Sequence, residues 1–317
     1  MDEFFKKLKK LTKTSMKNFS IHKNFYPDCK KLREEFVNNF KDTKATHPKR
    51  FVWDFWYDED QYHLIRTPAY HYFSQKLYQD FHSSLVQWGR ENLGCHDISP
   101  PWLSYYIDGC YQKLHSDVPH GPWAFVYSLT PDKKEFKGGE TLILKETTLN
   151  YWQNYKQSGK QSESYEYHSF VDIIPSKMNQ LVIFDPRFPH GVTEVKGNRD
   201  PLKSRLVMHG WFVNPRPYVV GGLSTTQVQK SVDNVFVALN KILEQIDLLD
   251  GVLSLKLKVS AQGLIEDYKI LTDTLISLSH NPSDAKYLKK ELKNIFLNTK
   301  FVKTKKSSQI TLPLIFK

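Results

Sequence analysis

Four short motifs between residues 114 and 212 decide how this chain folds and what chemistry it can carry. They read LHSD at 114–117, GGET at 138–141, FDPRFPH at 184–190 and SRLVMHGWF at 204–212. Each lies in or beside a short segment whose apolar and β-branched residues favour strands. We therefore expect the rest of the chain to support, cover or extend one site formed by these motifs.

Short predicted strands separated by turns dominate residues 101–216, and a polar segment at 155–164 is predicted to be an inserted loop. Many short strands with few helices between them indicate a closed or sandwiched antiparallel architecture. A double-stranded β-helix, or jelly roll, of about eight strands fits this spacing. The predicted strands are Trp102–Ile107, Trp123–Leu129, Thr141–Leu144, His168–Ile174, Gln180–Phe184, His190–Val195 and Ser204–Phe212.

The regions on either side are predicted to be helical or mixed, so the fold class is mainly β plus α+β. Residues 1–50 are expected to form a basic extension with helices over 1–20 and Cys29–Phe40. The jelly-roll domain with its supporting helices, including one from Pro68 to about Trp88, is expected over 51–216. A linker over 217–226, rich in Gly, Ser and Thr, precedes a small α+β domain over 227–317.

Composition restricts the class of protein and its setting. The net charge of +11 is concentrated in residues 1–49, at +7, and residues 222–317, at +5. Such basic ends can contact nucleic acid, an anionic membrane or an acidic protein, although dispersed lysines on a solvated helix are the simpler alternative. The three separated cysteines fit a reducing compartment. With no long apolar run and no signal sequence, the chain is expected to be cytoplasmic, with no transmembrane segment.

His115, Asp117 and His190 are the candidate metal ligands. Two histidines and one carboxylate can form a facial triad on Fe(II) that leaves other coordination positions open. His115 and Asp117 are two residues apart, so both side chains leave the same face of a strand. A His-x-Asp triplet arises by chance about once in a chain of this length. Unrelated surface histidines therefore remain the alternative interpretation.

Arg205 is the candidate anion-binding residue beside this triad. Along the last predicted strand, the two-residue period places Arg205, His209 and Trp211 on one face. A buried arginine needs an anion, and its planar guanidinium suits a carboxylate. Arg199 is the competing candidate, although the surrounding sequence indicates a turn.

The order of these motifs resembles that of 2-oxoglutarate- and Fe(II)-dependent dioxygenases, in particular their prolyl 4-hydroxylase-like branch, over residues 104–212. The resemblance implies that His115, Asp117 and His190 bind Fe(II) and that Arg205 binds the distal carboxylate of 2-oxoglutarate. It also implies that O2 and ascorbate are needed and that succinate and CO2 are formed. The expected reaction is hydroxylation of an unactivated C–H bond on a polypeptide side chain, plausibly proline.

Further site residues are suggested by their positions in the resemblance. Tyr106 lies where relatives often place a tyrosine on the cosubstrate, with an ordinary core aromatic as the alternative. Ser128 stands where relatives can have a tyrosine, which leaves part of the carboxylate pocket to His209 or water. The residues that could face the substrate, or could equally be structural, are Arg187, His120 and Trp123.

Two other functional hypotheses stay open. The jelly roll could be catalytically silent within an interaction protein, or the same chemistry could act on a small molecule. Residues 251–317 resemble the C-terminal domain of TonB-like and gliding-motility proteins, carried by GVLSLKL at 251–257, Gln262-Gly263 and LPLIF at 312–316. That resemblance implies a protein-binding module, with a structural appendage as the alternative. The oligomeric state is not predicted.

Overall fold

A computed structural model describes residue 16 and residues 18–41, 52–118, 120–133, 135–145, 148, 167–246, 248–277 and 282–317. The helix predicted over 1–20 lies almost entirely outside these residues, and the loop predicted over 155–164 lies outside them altogether. The chain divides into two compact units. Of the described residues, one unit contains those within 18–85 and 98–213, and the other contains residue 16 and those within 86–97 and 214–317.

The unit of residues 18–85 and 98–213 is built around one antiparallel sheet. The helices of this part of the chain are α1 (Cys29–Lys41), α2 (Ala69–Tyr72), α3 (Gln75–Asn92, which continues into residues of the other unit) and α4 (Tyr167–Phe170). The strands are β1 (Phe19–Lys23), β2 (Asp54–Asp58), β3 (Tyr62–Pro68), β4 (Cys95–Ile98), β5 (Trp102–Tyr106), β6 (Tyr111–His115), β7 (Trp123–Ser128), β8 (Thr141–Leu144), β9 (Val171–Ile174), β10 (Gln180–Phe184), β11 (His190–Val192) and β12 (Arg205–Pro215).

The strand order brings residues that are distant in sequence onto one curled surface. Neighbours run β1-β10-β7-β12-β5-β3-β6-β11-β8-β9, and β2 adds to β3. The sheet curls into a half-barrel, as the predicted jelly roll requires. Across it, Arg66, Ser104, Val207 and Ser128 are register partners on four successive strands, so they form one row on the inner face.

The core of this unit explains why the central strands lack a simple apolar–polar alternation. All five residues of β10 are buried, and β7 is buried except at Val126. Strands covered on both faces are expected to be apolar throughout. Phe81 and Leu85 of α3, together with Leu32 and Phe36 of α1, are fully buried. These helices therefore provide an apolar support that leaves the opposite face of the sheet for a site.

The second unit contains a sheet of strand order β13-β17-β14-β15, with β16 also paired to β14. Its strands are β13 (Tyr218–Gly221), β14 (Leu249–Val259), β15 (Ile265–Asp273), β16 (Ile276–Ser277) and β17 (Ser308–Phe316), and its helices are α5 (Thr225–Leu243) and α6 (Pro282–Asn298). Apolar residues of both helices and of the sheet share one core, which includes Val232, Leu255, Leu292 and Phe296. The predicted helices and strands of residues 227–317 are thus present.

Three differences from the predicted organisation have physical causes. The predicted linker, 217–226, instead contains β13, paired with β17, and the first turn of α5, which Ser224 and Gln227 begin with a capping box. The predicted helix from Pro68 is divided into α2 and α3 at Phe73, whose extended backbone ends α2. Strand β1 lies in the part of the chain expected to be a helical extension, and it pairs with β10.

Residues 86–97 were expected to belong with the jelly roll but cluster with residues 214–317. The Ser254 hydroxyl donates to the Leu93 carbonyl at 2.9 Å, and Gly94 lies so close to Pro313 that an added Cβ would be 2.5 Å from that ring. Strand β14 is buried at most positions on both faces, although its apolar and polar residues alternate.

Candidate metal and cosubstrate site

The register of two neighbouring strands, β6 and β11, brings the predicted metal ligands together. His190 on β11 is the direct antiparallel partner of His115 on β6, and Asp117 follows two residues after His115. One ligand atom from each residue lies within 4.8 Å of the others. The His190 Nε2 is 3.3 Å from Asp117 Oδ2, and the His115 Nε2 is 3.7 Å from Asp117 Oδ1. Residues that are 73 and 75 positions apart in sequence thus converge on one point.

Hydrogen bonds within each strand orient both imidazole rings. The His115 Nδ1 lies 2.9 Å from the Lys113 carbonyl oxygen, and the His190 Nδ1 lies 3.0 Å from the Phe188 carbonyl oxygen. Each Nδ1–H therefore donates to the backbone, which leaves the Nε2 lone pair directed at the shared point. This is the tautomer that a metal-binding histidine requires.

The electrostatics of these side chains suit a cation. Burial, followed by the neighbouring His190, lowers the pKa of His115 below its ordinary value. Burial opposes ionisation of Asp117, but the adjacent imidazoles of His190, His115 and His120 outweigh it and hold the pKa of the carboxyl below its usual range. At neutral pH the cluster therefore offers a neutral His115 imidazole and an ionised carboxylate, which is a donor set that Fe(II) accepts.

Arg205 lies on the inner face beside this cluster and is only 1% exposed. Its Nη2 donates to the Thr141 hydroxyl at 3.1 Å, and its guanidinium carbon lies 4.5 Å from the centre of the Tyr106 ring. Among the described residues, neither its Nε nor its Nη1 has an acceptor. Burial lowers the pKa of Arg205, with Tyr106 and Glu140 acting in the opposite direction. Two unsatisfied N–H donors of a buried guanidinium fit a carboxylate.

The glycines of the GGET motif allow Arg205 to occupy this position. Gly138 and Gly139 have φ values of +79° and +72°, a region that favours glycine. A Cβ on Gly139 would be 3.0 Å from the Arg205 Cδ, and a Cβ on Gly138 would be 1.9 Å from the Glu194 carbonyl oxygen. The motif therefore supplies both close packing against the arginine and, through Thr141, one of its acceptors.

His209 lies on the same face of β12, with its Nε2 2.8 Å from the Ser104 hydroxyl. Burial, followed by the charges of Arg66 and Arg205, lowers the pKa of His209 to about 3. The ring is therefore neutral at pH 7 and does not compete with Arg205 for an anion. Tyr106, Arg205 and His209 all line the small cavity that also contains the His115 and Asp117 side chains.

Three other residues considered for the site, Ser128, Arg199 and Arg187, do not line the small cavity. Ser128 does not line this cavity, because its hydroxyl is 2.8 Å from the Ser176 hydroxyl and accepts from the Thr130 N–H. Arg199 pairs with Asp108 and its side chain is 84% exposed, so it lies outside the site. Arg187 donates to the buried Asp185 carboxylate and is not among the residues that line either cavity of this region.

Trp123 is the predicted substrate residue that the structure contradicts. It is fully buried, and its register partner on β12 is Phe212, whereas Trp211 pairs with Ala124. Trp123 therefore points to the opposite face of the sheet from Trp211 and cannot face the cavity. His120 is exposed, lies 4.4 Å from the Trp211 ring between centroids, and lines the larger cavity. That cavity has a volume of about 860 Å³ and also contains His115 and Asp117.

Several lining residues were missed by sequence reasoning. Gln112 lies three residues before His115, and its side-chain nitrogen is 3.1 Å from the His115 Nε2. No role was predicted for Thr141 of the GGET motif, although its position close after two adjacent glycines indicates close packing around it. Arg66, Trp56 and Trp102 carried no recognisable pattern, because their meeting depends on how the β2–β3 hairpin lies against β5.

Comparison with known proteins agrees with the side-chain geometry. Residues 101–213 match the family model of the 2OG-Fe(II) oxygenase superfamily. The matched segment includes all three candidate ligands and Arg205, so this part of the chain is a 2OG-Fe(II) oxygenase domain. This match supports an oxygenase enzyme, and a domain of this family implies Fe(II) as the metal and 2-oxoglutarate and O2 as cosubstrates.

Solved structures with a similar fold include two hydroxylases and one carbocyclase. A Trichoplax adhaerens prolyl hydroxylase in complex with a hypoxia inducible factor peptide is 14% identical, with a TM-score of 0.42 over 67% of this chain and 93% of that one. A Pseudomonas putida prolyl-4-hydroxylase is 14% identical, with a TM-score of 0.40 over 62% and 93%. The carbocyclase SnoK from nogalamycin biosynthesis is 11% identical, with a TM-score of 0.39 over 61% and 79%.

No curated protein sequence matches the chain. Among the described residues, no helix combines the length and the apolar character needed to cross a membrane.

Proposed function

We propose that the protein hydroxylates an unactivated C–H bond on a polypeptide side chain, of the prolyl type, with 2-oxoglutarate as cosubstrate. The observation that carries this proposal is the pair of unsatisfied N–H groups on buried Arg205, in the same cavity as the His115, Asp117 and His190 cluster. A metal-ligand set alone would fit many metalloproteins. A buried anion site next to it favours a cosubstrate that carries a carboxylate.

In this proposal each residue has a separate task. His115, Asp117 and His190 hold Fe(II), which when bound supplies the activation of O2 that is coupled to oxidation of 2-oxoglutarate to succinate and CO2. The Lys113 and Phe188 carbonyls keep the two imidazole tautomers correct. The aspartate supplies one negative charge, so that the dication is only partly neutralised by the protein and retains attraction for an anionic cosubstrate.

The cosubstrate is bound by residues of β12 and its neighbours. Arg205 donates Nε and Nη1 to the distal carboxylate, while Thr141 holds the guanidinium in place through Nη2. Tyr106 covers one face of the guanidinium and excludes water from it. A neutral His209, fixed by Ser104, completes the pocket where Ser128 does not reach. A low-polarity wall around the charged pair strengthens its attraction.

A polypeptide substrate is supported by the motif order, which resembles that of prolyl hydroxylases, and by the size of the larger cavity. Its volume of about 860 Å³ accommodates more than one residue of an extended peptide beside the metal cluster. A small-molecule substrate is the second candidate, favoured by the aromatic rings Trp56, Trp102 and Trp211 that line this cavity. A catalytically silent jelly roll is disfavoured, because it would give no use for the unsatisfied N–H groups of Arg205.

The proposal is tested by measuring succinate formed from 2-oxoglutarate in the presence of Fe(II), O2 and ascorbate. We expect turnover in the wild-type protein and its loss in Asp117→Ala and His190→Ala. Asp60→Ala is the matched control, since this carboxylate lines the larger cavity but lies outside the ligand cluster. Absence of both succinate formation and 2-oxoglutarate binding in the wild-type protein would refute the proposal, and ascorbate dependence is read from the same assay.

We further propose roles and boundaries for the flanking regions. Residues 51–216 act as the catalytic domain, and residues 227–317 act as a protein-binding module, as their TonB-like pattern implies. The basic composition of residues 1–50 makes this region a second candidate for binding an acidic partner or nucleic acid. A reducing, cytoplasmic setting is supported by the three cysteines, Cys29, Cys95 and Cys110, which are all free and buried. Pull-down with the full chain carrying Val237→Glu, at an exposed apolar position of α5, tests the binding role, because partner capture should fall while succinate formation remains.

A further inference from the structure

The β2–β3 hairpin forms one wall of the larger cavity, and the metal cluster lies on another. Trp56 of β2 and Arg66 of β3 line the cavity, as do His115 and Asp117. Arg66 is the register partner of Ser104, whose hydroxyl contacts His209, so its side chain shares the inner face with the site residues of β12. A substrate that reaches the metal through this cavity therefore passes along Arg66.

The guanidinium of Arg66 lies between two indole rings. Its central carbon is 3.0 Å from the centre of the Trp56 ring and 3.9 Å from that of Trp102. Cation–π contacts on both faces hold the plane of the group and exclude water from those faces. Only the N–H groups in the plane remain available for a hydrogen-bond acceptor, and among the described residues the Nε of Arg66 has none.

Asp54 offsets the charge of Arg66 only in part, because among the described residues no carboxylate lies within ion-pair distance of its guanidinium. Asp54 lies opposite Arg66 on β2 and, together with Tyr62, acts against the burial that lowers the pKa of Arg66 to about 10. Lys113 also lines the cavity, but its ammonium lies 2.6 Å from Asp60. A phosphate dianion favours several cations, whereas a planar carboxylate matches the in-plane N–H groups of a single arginine.

We propose that Arg66, clamped between Trp56 and Trp102, is a specificity-determining residue that binds a carboxylate of the substrate. The acid is either a side chain of a polypeptide or a group on a small molecule, and the recognising chemistry is the same for both. Binding of this carboxylate positions the rest of the substrate in the cavity beside His115 and Asp117. The inference rests on the proposed function, because it assigns the ligand of Arg66 as substrate rather than as 2-oxoglutarate.

The test follows the Nε–H resonances of the arginine side chains by NMR in the full chain loaded with Zn(II), which is diamagnetic, and with 2-oxoglutarate. The Arg66 signal is assigned by its loss in Arg66→Lys. Two pairs of probes are compared. The first pair consists of capped hexapeptides of Pro, Ala, Gly and one Glu, and the same peptides with Gln in place of Glu. The second pair is butyrate and butyramide. Because the members of each pair differ only in having a carboxylate or an amide, a difference in the shift of the Arg66 signal reports recognition of the carboxylate.

We expect the Arg66 Nε–H signal to shift with Glu peptides or with butyrate and not with the matched amides. In Arg66→Gln, the affinity for the acid should fall by about tenfold to a hundredfold. In Arg66→Lys, which keeps the charge but loses the planar N–H groups, it should fall by less. Arg199→Gln, on an exposed side chain, should leave the affinity unchanged. A response to Glu peptides assigns a polypeptide acid, and a response to butyrate alone assigns a small acid.

Equal responses to an acid and its amide, or no response of Arg66 to any acid, would overturn the proposal. The same spectrum separates this outcome from failure of the proposed function. The Arg205 Nε–H signal should shift when 2-oxoglutarate is added before any probe. If Arg205 responds and Arg66 does not, the oxygenase site stands and the role of Arg66 is wrong. If Arg205 does not respond, the cosubstrate site itself is wrong.

Discussion

Replacing Arg205 with Met separates two effects of the buried guanidinium: its cost to the stability of the fold and its contribution to binding 2-oxoglutarate. The guanidinium is 1% exposed and has two N–H groups without an acceptor among the described residues. An unsatisfied buried donor costs about 1–3 kcal/mol, more for a charged group. Met has a similar length and no polar atom, so Arg205→Met should leave the cosubstrate-free protein as stable as wild type or more stable. The midpoint of urea denaturation measures this.

The same substitution should greatly weaken cosubstrate binding. Truncating one partner of a buried, hydrogen-bonded charge pair costs about 2–5 kcal/mol. At about 1.4 kcal/mol per factor of ten, the dissociation constant of 2-oxoglutarate should rise by about thirtyfold to several thousandfold. Calorimetric titration with Mn(II) in place of Fe(II) measures the constant without turnover, and Mn(II) binding itself should be unchanged.

Arg199→Met provides the matched control for this prediction. It removes an arginine six residues away whose side chain is 84% exposed and pairs with Asp108. Its effect on 2-oxoglutarate affinity should be within twofold. The reasoning is refuted if Arg205→Met binds 2-oxoglutarate as wild type does, or if the two substitutions weaken binding equally. A large loss of stability in cosubstrate-free Arg205→Met would show that the buried guanidinium is satisfied after all.

Three further outcomes are expected. Gly139→Ala should destabilise the fold by about 1–2 kcal/mol, because φ at this position is +72°. It should also raise the dissociation constant of 2-oxoglutarate, because the new methyl group contacts the Arg205 side chain. Thermal unfolding measures the first effect, and calorimetric titration measures the second. Because the folded-state pKa of His209 is depressed, the neutral ring contributes stability above the unfolded pKa of about 6.5, and this contribution is lost as pH falls towards 3. Between pH 6 and 4, the free energy of unfolding of His209→Gln should therefore depend less on pH than that of wild type, by about 1.4 kcal/mol per pH unit. Finally, a bound metal at 100 times its dissociation constant should stabilise wild type by about 2.7 kcal/mol and His190→Ala by much less, which chelation followed by calorimetry can check.

The chemistry of the site could be predicted from sequence because it follows from strand periodicity and motif order. The two-residue period placed Arg205 and His209 on one face, and the structure has both in one cavity. Periodicity alone could not exclude Trp123, because the face it occupies depends on the register between β7 and β12. Trp123 was a candidate for facing the substrate, with a structural role as the alternative, and its register partner Phe212 places it on the opposite face.

Other features depend on contacts that no local pattern records. Residues 217–226 contain Gly221 and Gly222, which favour a linker, yet Gly221 at φ +133° lies in β13, where an added Cβ would be 2.3 Å from the Ser307 carbonyl oxygen. Here glycine permits close strand pairing rather than flexibility. Arg66 was missed for a related reason. Its role depends on Trp56 and Trp102, which come from different strands and meet only after β3 pairs with both β2 and β5.

Each candidate metal-binding histidine is oriented by a carbonyl two residues earlier in its own segment, Lys113 for His115 and Phe188 for His190. Ring orientation is therefore a local property of two short sequences. Changes in the β2–β3 hairpin, which lines the larger cavity, can alter the surroundings of a substrate while the two imidazole rings keep their orientation. Such separation makes the scaffold evolvable: new substrates can be acquired by changing the surrounding loops without rebuilding the iron centre.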